Sequence, residues 1–401
     1  MAIQDLLDIV GKQFAKKHPD SAVEFKTADK EEPPTGMLLD NPLLEFAFDR
    51  RFMAYGRFVL VYGKKGCAKT SLFYDFAKFF QANKGHVIWI ETEHAIDLDY
   101  ARKQGVDLSN MSIQHPETLE QGLEITEMLI RNLPKAFPDG DTPVLICYDS
   151  IAGSTVEYEL DQSHTISDIQ PGTHARLMGR FYRELVPILA NEKCVVMMLN
   201  QLKGKIGGFG FSEDSQDALI GGEAQFFHSS YHFKMIKIGE DGETDGDVGT
   251  AVRKTMSKHK LQVKRNKLGR EGKGQEIEFP LYIEGGIDWW TPLVVMLAKG
   301  YNSIVGKRGS YYVWNTPDTH YTDKDGVVQV IDTEQTYRDF ELGGIIRSSP
   351  EAKEFIRTAF GIPQLPPPKV VEEVEEAKKK KRGRPAKEVD EKQPVKNINL
   401  V

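Results

Sequence analysis

Alternating strand and helix patterns over residues 35–285 predict an α/β fold, a mostly parallel β-sheet with helices on both faces. Three observations carry this expectation. Residues 58–62, 86–91, 143–148 and 193–199 are apolar runs, as expected of strands buried on both faces. Residues 71–80, 119–133 and 174–190, between them, read as helices. The first run also passes through a glycine-bearing turn directly into a helix.

The elements follow in order. Ile3, Leu6, Leu7, Val10 and Phe14 recur at helical spacing, giving an amphipathic helix that ends near His18-Pro19. Residues 21–27 alternate as one strand, and 28–34 are charged and proline-bearing, hence a linker. This 1–34 segment buries little surface alone, so it folds onto its own domain or docks on a neighbouring subunit; spacing leaves both open. Within 35–285, the glycine clusters at 204–210 and at Gly221-Gly222 bracket a polar stretch too long for an ordinary connector. Past Trp289-Trp290 the pattern weakens to helices at 293–298 and 351–360 and a strand at 310–314, a small α+β module over 286–362. The tail, 363–401, runs from prolines through glutamates to lysines, a composition that predicts disorder.

Composition excludes several classes. No apolar run is long enough to span a bilayer, and the first 18 residues lack a signal-peptide pattern. Cys67, Cys147 and Cys194 show no metal-ligand spacing, and three thiols without a framework indicate a reducing compartment, the cytoplasm. A net charge of −7 argues against a uniformly basic nucleic-acid coat while permitting a local basic channel.

The turn after the first strand reads Gly63-Lys64-Lys65-Gly66-Cys67-Ala68-Lys69-Thr70, with Ser71 next in the helix. Strand, turn and helix N-terminus are the setting of a phosphate-binding loop. Amides of the turn and of the first helical turn point into one concavity, where the helix dipole favours an anion. Lys69 can reach the β/γ-phosphates of ATP, and the Thr70 hydroxyl can hold Mg²⁺. Ala68 stands where the pattern usually has glycine, adding a methyl group and disfavouring positive φ.

Asp149 closes the strand 143–148 at the edge where parallel sheets meet ligands, placed for the outer shell of the same Mg²⁺. Glu91 and Glu93 also close a strand there, and one of them can orient and deprotonate an attacking water. Alternation puts both on one face, so spacing does not choose. Gln201 follows the strand 193–199 and can hydrogen-bond a γ-phosphate, transmitting its presence to the glycine-rich stretch; the plainer reading of Asn200-Gln201 is a turn.

Four stretches together closely resemble bacterial RecA recombinases: residues 93–107 (Glu93-His94-Ala95-Ile96-Asp97 onward), Asn200-Gln201-Leu202-Lys203-Gly204-Lys205-Ile206-Gly207, Gly221-Gly222-Glu223-Ala224 and Lys264-Arg265-Asn266-Lys267-Leu268. The resemblance runs in order from about Gln13 to Trp290. Beyond that the chain looks more like the recombinases encoded by large phages, which also carry altered phosphate loops. The resemblance implies that Glu93 is the catalytic glutamate, that Asp97 and Tyr100 pack around adenine, and that Gln201 senses the γ-phosphate. It implies that Arg265 and Lys267 reach the ATP of the adjacent subunit, and that Arg176, Arg183, Gly221 and Gly222 contact DNA. One position of the basic pair is Arg here where bacterial proteins usually have Lys, and residues 159–171 and 202–220 depart from the bacterial sequence over much of their length. The N-terminal helix and strand match the family's subunit-docking segment. Separately, Lys381-Arg382-Gly383-Arg384-Pro385 resembles an AT-hook, whose arginines and slim backbone suit a narrow minor groove.

These readings describe a RecA-like P-loop ATPase core with an N-terminal oligomerisation segment, a small C-terminal module and a basic tail. The implied function is an ATP- and Mg²⁺-dependent recombinase that forms a helical homo-oligomeric filament on single-stranded DNA and pairs it with double-stranded DNA. Single-strand-binding and mediator proteins are the further partners. The alternatives are a DNA-binding ATPase of the same fold without strand exchange, and a non-catalytic DNA-binding scaffold.

Overall fold

The apolar runs pair side by side, and the helices between them cover both faces of the resulting sheet. The computed structural model describes residues 3–19, 23–160, 172–204, 217–244, 252–269 and 275–363. The tail with Arg382, Gly383, Arg384 and Pro385, residues 161–171, and residues 205–216 of the polar stretch lie outside the described residues.

Helix α1 (Ile3–Lys17) forms as its spacing requires, but it buries none of its residues. Ile3, Leu6, Ile9 and Val10 on its apolar side remain exposed. The strand expected over 21–27 does not form at 23–27, and 20–22 lie outside the described residues. A strand exists only against a neighbouring strand, and among the described residues none lies beside this segment. Phe25 instead rests on α1 through Phe14, ring centroids 5.6 Å apart.

Strands β1 (Gly36–Leu38) and β2 (Phe52–Ala54) pair around α2 (Pro42–Phe48), whose N-cap Asn41 accepts from the amides of Leu43 and Leu44. The main sheet begins with β3 (Arg57–Gly63) and α3 (Lys69–Ala82), then β4 (His86–Glu91), α4 (Leu98–Lys103) and β5 (Met111–Gln114). It continues with α5 (Leu119–Ala136), β6 (Val144–Asp149), α6 (Glu157–Leu160), α7 (Thr173–Leu189), β7 (Cys194–Gly204) and β8 (Asp217–Leu219). Helix α8 (Ala224–His228) leads into β9 (Tyr231–Thr244), β10 (Val252–Asn266), β11 (Gln275–Tyr282) and β12 (Gly286–Ile287).

The strand order is β12-β11-β10-β9-β3-β7-β6-β4-β5, with β8 against β7. From β9 to β5 neighbours run parallel; β9 to β12 form an antiparallel extension that the apolar runs did not announce. Alternation along each strand sorts the core into two layers. Val59, Val61, Leu145, Cys147, Val195 and Met197 pack with Leu72, Phe73 and Phe76 of α3. Phe58, Ile146, Tyr148, Val196 and Met198 face Leu123 and Ile130 of α5 and Tyr182 and Leu185 of α7.

The C-terminal module contains α9 (Trp290–Gly300), the hairpins β13 (Val305–Arg308) with β14 (Tyr311–Trp314) and β15 (His320–Thr322) with β16 (Val328–Val330), then α10 (Asp339–Arg347) and α11 (Pro350–Phe360). Its Leu297, Trp314, Ile346 and Ile356 belong to the same apolar cluster as Phe48 and Phe76. Arg357 on α11 reaches the fully buried Glu45 of α2 with two hydrogen bonds, at 2.7 and 2.6 Å. Burial pushes the Glu45 carboxyl up, and the Arg357 guanidinium opposes that. Among the described residues no helix is long and apolar enough to cross a membrane.

Register sets what meets at the C-terminal edge of the parallel strands. Gly63 pairs with Gln201, and Glu91 with Asp149. The phosphate-type loop, both carboxylate-bearing strand ends and the Gln201 strand therefore share one edge.

Candidate nucleotide-binding site

The loop between β3 and α3 closes over a cavity of about 310 Å³ that is lined in part by Lys69, Thr70, Glu93, Asp149 and Gln201. A Cβ on Gly63 would stand 2.3 Å from the Met235 carbonyl oxygen and 2.5 Å from Cys67 Sγ, so only glycine fits between β3 and β9 there. Ala68 takes the left-handed conformation, φ 69° and ψ 30°, that the usual glycine would adopt. The chain keeps the turn and bears the conformational cost, about 1–2 kcal/mol for a residue with a Cβ. The departure from the motif therefore leaves the loop's shape intact.

Lys69 is almost fully buried, and its Nζ donates to the carbonyls of Gly63 at 3.3 Å and Lys64 at 3.1 Å. Thr70 Oγ1 donates to Asp149 Oδ2 at 2.9 Å. Burial pushes the Asp149 carboxyl up to about 7, with the Thr70 hydroxyl opposing and the nearby Glu93 adding to the rise. A buried carboxylate beside a loop hydroxyl is an oxygen donor set that suits a hard divalent cation such as Mg²⁺. The Lys69 ammonium, the loop amides and the start of α3 suit phosphate.

The two glutamates separate cleanly. Glu91 is buried, and its carboxylate accepts from the amides of Glu93 (2.9 Å), His94 (2.9 Å) and Ala95 (3.3 Å). Strand β4 ends at Glu91 and the chain turns, with His94 at φ 51°, so alternation no longer applies at Glu93. Glu93 lines the cavity instead, where its Oε1 accepts from Ser150 Oγ at 2.6 Å and Gln201 Nε2 at 3.0 Å.

Gln201 is not in a turn. Strand β7 runs past it to Gly204. The preceding Asn200 donates to Ile220 O at 2.7 Å and Gln225 Oε1 at 2.9 Å, and Gln225 Nε2 donates to Ile220 O at 2.6 Å and Gly222 O at 3.2 Å. The strand that touches Glu93 is thereby tied to the far end of the polar stretch, at Ile220 and Gly222. Gly221 and Gly222 sit there with φ 85° and 75°, and a Cβ on Gly222 would press to 2.8 Å from Ala175 of α7. Arg176 and Arg183 lie exposed on the same helix, so the structure gathers Arg176, Arg183, Gly221 and Gly222 around α7.

Asp97 caps α4 by accepting from the Tyr100 amide at 2.8 Å, and Tyr100 OH lies 3.3 Å from Ser71 Oγ beside the loop. Arg265 and Lys267 are elsewhere. Arg265 Nη1 donates to Phe226 O at 2.9 Å and Lys267 Nζ to Phe227 O at 2.7 Å, at the end of α8. Gly63 is level with Met235 on β9, and Met235 with Leu261 on β10. A bulge after Val263 sets Arg265 opposite His232, three residues back from Met235, so at about 3.3 Å each it lies about 10 Å along the strands from the level of the loop, toward the opposite edge of the sheet.

Sequence reasoning missed three contributors. Ser150 follows Asp149 directly, and its place at the strand end was a usable signal. Ser257 and His259 line the cavity from β10 and carry no local signal, because the antiparallel extension brings them there.

A family model described as the RecA N-terminal domain matches residues 2–284, ending between β11 and β12. The chain is 34% identical over 298 residues to the protein RecA of Bartonella quintana, covering 74% of this chain and 76% of that one. It is 33% identical over 284 residues to the protein RecA of Brucella anthropi, covering 71% of each.

Proposed function

The chain belongs to the RecA family, and from that premise we propose that it is an ATP-dependent DNA recombinase, filament-forming on single-stranded DNA and able to pair that strand with homologous duplex. The observation that carries the reading is the linked set at the loop: Thr70 on Asp149, Ser150 and Gln201 on Glu93, and Asn200 bonded to the Ile220 carbonyl beside Gly221-Gly222. In this reading Lys69 leaves its loop carbonyls for the β/γ-phosphates of ATP. Thr70 would hold Mg²⁺, with Asp149 in its outer shell, and the ion would supply charge neutralisation for the phosphates. Glu93 takes the proton of the attacking water, and Asp97 and Tyr100 flank the base. Loss of the γ-phosphate is felt by Gln201, which shares a strand with Asn200 and so moves the segment that carries Gly221-Gly222.

Arg176 and Arg183 contact the phosphate backbone in this reading, and the Gly221-Gly222 amides do so beside them. Arg265 and Lys267 serve the nucleotide of the adjacent subunit; their distance from their own loop supports this. The uncovered apolar side of α1 supports docking on a neighbour in the filament. Beyond residue 290 we group the chain with the recombinases of large phages, and Arg382-Gly383-Arg384-Pro385 with AT-hooks that hold duplex near the filament.

The test is ATP hydrolysis with and without single-stranded DNA, followed by strand exchange on matched substrates. Stimulated hydrolysis with exchange is expected. Hydrolysis without exchange would make the protein a DNA-dependent ATPase of another kind, and DNA binding without hydrolysis would make it a scaffold.

A further inference from the structure

Glu91 and His115 leave the sheet side by side. Strands β4 and β5 run parallel with Ile90 opposite Gln114, so the next residue of each strand emerges at the same edge. His115 Nδ1 stands 3.2 Å from Glu91 Oε2. The turn after β4 brings back His94, whose ring stacks on that of His115 with centroids 5.6 Å apart and planes 22° from parallel. One ligand atom from each of Glu91, His94 and His115 lies within 4.8 Å of the other two. Among the described residues, no other trio of His, Cys, Asp or Glu converges in this way.

We propose that Glu91, His94 and His115 form a binding site for a divalent transition-metal ion of the Zn²⁺ class, separate from the Thr70–Asp149 pair. Two imidazoles and one carboxylate are a donor set that suits Zn²⁺ and its neighbours, whereas Mg²⁺ prefers oxygen. The carboxylate is already fixed. Its Oε1 accepts from Glu93 N and Ala95 N and its Oε2 from His94 N, leaving Oε2 facing His115. Amides that orient a ligating carboxylate act as outer-shell partners of metal sites do. A tetrahedral ion with bonds of about 2.0–2.1 Å needs its ligands about 3.4 Å apart. The exposed His94 and half-exposed His115 rings can close that difference by side-chain rotation, since nothing encloses them. Solvent supplies the fourth ligand. An ion here would also pin the 91–95 turn from which Glu93 projects.

The test uses the full chain with Mg²⁺ in excess, titrated with Zn²⁺ in equilibrium dialysis and with Co²⁺ as a spectroscopic stand-in. One Zn²⁺ per chain is expected, with a tetrahedral Co²⁺ spectrum. His94→Ala and His115→Ala should each weaken binding at least as much as loss of an outer-shell partner does, about 10–100-fold. His115→Gln keeps a hydrogen-bond donor to Glu91 and so preserves the turn, yet it should weaken the metal equally. Circular dichroism in the absence of metal should be the same for all chains. A wild-type chain that takes up no Zn²⁺, or one whose uptake matches that of the His94→Ala/His115→Ala variant, overturns the site and leaves His115 as a hydrogen-bond partner of Glu91 alone.

Discussion

Replacing Glu93 by glutamine exchanges one carboxylate oxygen for an amide nitrogen and leaves the surrounding geometry its acceptor. Ser150 Oγ and Gln201 Nε2 both donate to Oε1, at 2.6 and 3.0 Å, and the amide oxygen of Gln can accept both. Nucleotide affinity and assembly on DNA should therefore persist. What disappears is the lone pair that takes a proton from water. General-base catalysis contributes about 10²–10⁴-fold, so turnover should fall by that factor, about 2.7–5.4 kcal/mol in the barrier. Phosphate release in the presence of single-stranded DNA measures the rate, and an equilibrium titration with ATP measures the affinity. Glu91→Gln is the control with the opposite signature. Three amides point at that buried carboxylate, and an NH₂ group facing any of them loses a bond and leaves a donor unsatisfied, about 1–3 kcal/mol of stability. Near-normal turnover in Glu93→Gln, or a turnover loss confined to Glu91→Gln, would refute the assignment.

Lys69→Ala removes the buried ammonium from the loop and should weaken ATP binding about 10–100-fold, the worth of a hydrogen bond to a charged group; a nucleotide titration checks it, and unchanged affinity would exclude Lys69 from phosphate contact. Mixing Lys69→Ala chains with Arg265→Ala/Lys267→Ala chains should restore part of the hydrolysis each lacks, because some interfaces join two intact halves; no recovery in mixtures that still assemble would mean that the basic pair does not act across subunits. Arg357→Ala leaves the Glu45 carboxylate buried without its two hydrogen bonds and should cost about 3–5 kcal/mol in urea unfolding, far more than the about 0–1 kcal/mol of an exposed ion pair. Acid should destabilise the fold through His232 and His259, which burial pushes down to about 4. Their contribution is complete above about 6.5, the unfolded value, and is lost as pH falls toward 4, about 2 kcal/mol each at pH 5. Asp149, raised to about 7, runs the other way, so the comparison is the change in stability from pH 7 to 5 in wild type against His232→Gln/His259→Gln, which should lose less.

The parts of this molecule legible in its sequence are those whose cause is local. Strands buried on both faces read as apolar runs, and the run 86–91 coincides with β4. The phosphate-type loop is a contiguous motif, and its one irregular position keeps its conformation. Helix α7, expected over 174–190, forms over Thr173–Leu189, because its apolar stripe matches the sheet it covers. Local reasoning failed in three physical situations. Alternation equates Glu91 with Glu93, but it holds only while the strand lasts, and β4 stops at Glu91. The segment 21–27 has strand composition, yet pairing needs a partner, and 23–27 has none among the described residues. Strands β10 and β11 alternate charged and apolar residues, with Leu261 and Ile277 buried while Lys264 and Glu278 are exposed, so they lack the continuous apolar signal of the parallel strands.

The second of these failures, the unpaired 23–27 segment, belongs with contacts that this chain leaves incomplete among its described residues. An α1 whose Ile3, Leu6, Ile9 and Val10 stay exposed, a strand-like segment without a sheet among the described residues and a basic pair displaced about 10 Å along the strands from the level of its own loop are three features at odds with a self-contained monomer. One arrangement accounts for all three. If the N-terminal segment docks on a neighbour, α1 is covered and residues 23–27 gain an edge to pair with. A head-to-tail contact of that kind repeats along the assembly instead of closing as a two-fold dimer does. It also lets the Arg265 and Lys267 edge of one subunit face the loop edge of the next. Hydrolysis would then need the interface, not only the fold, and dilution below the assembly threshold should abolish turnover while leaving each chain folded.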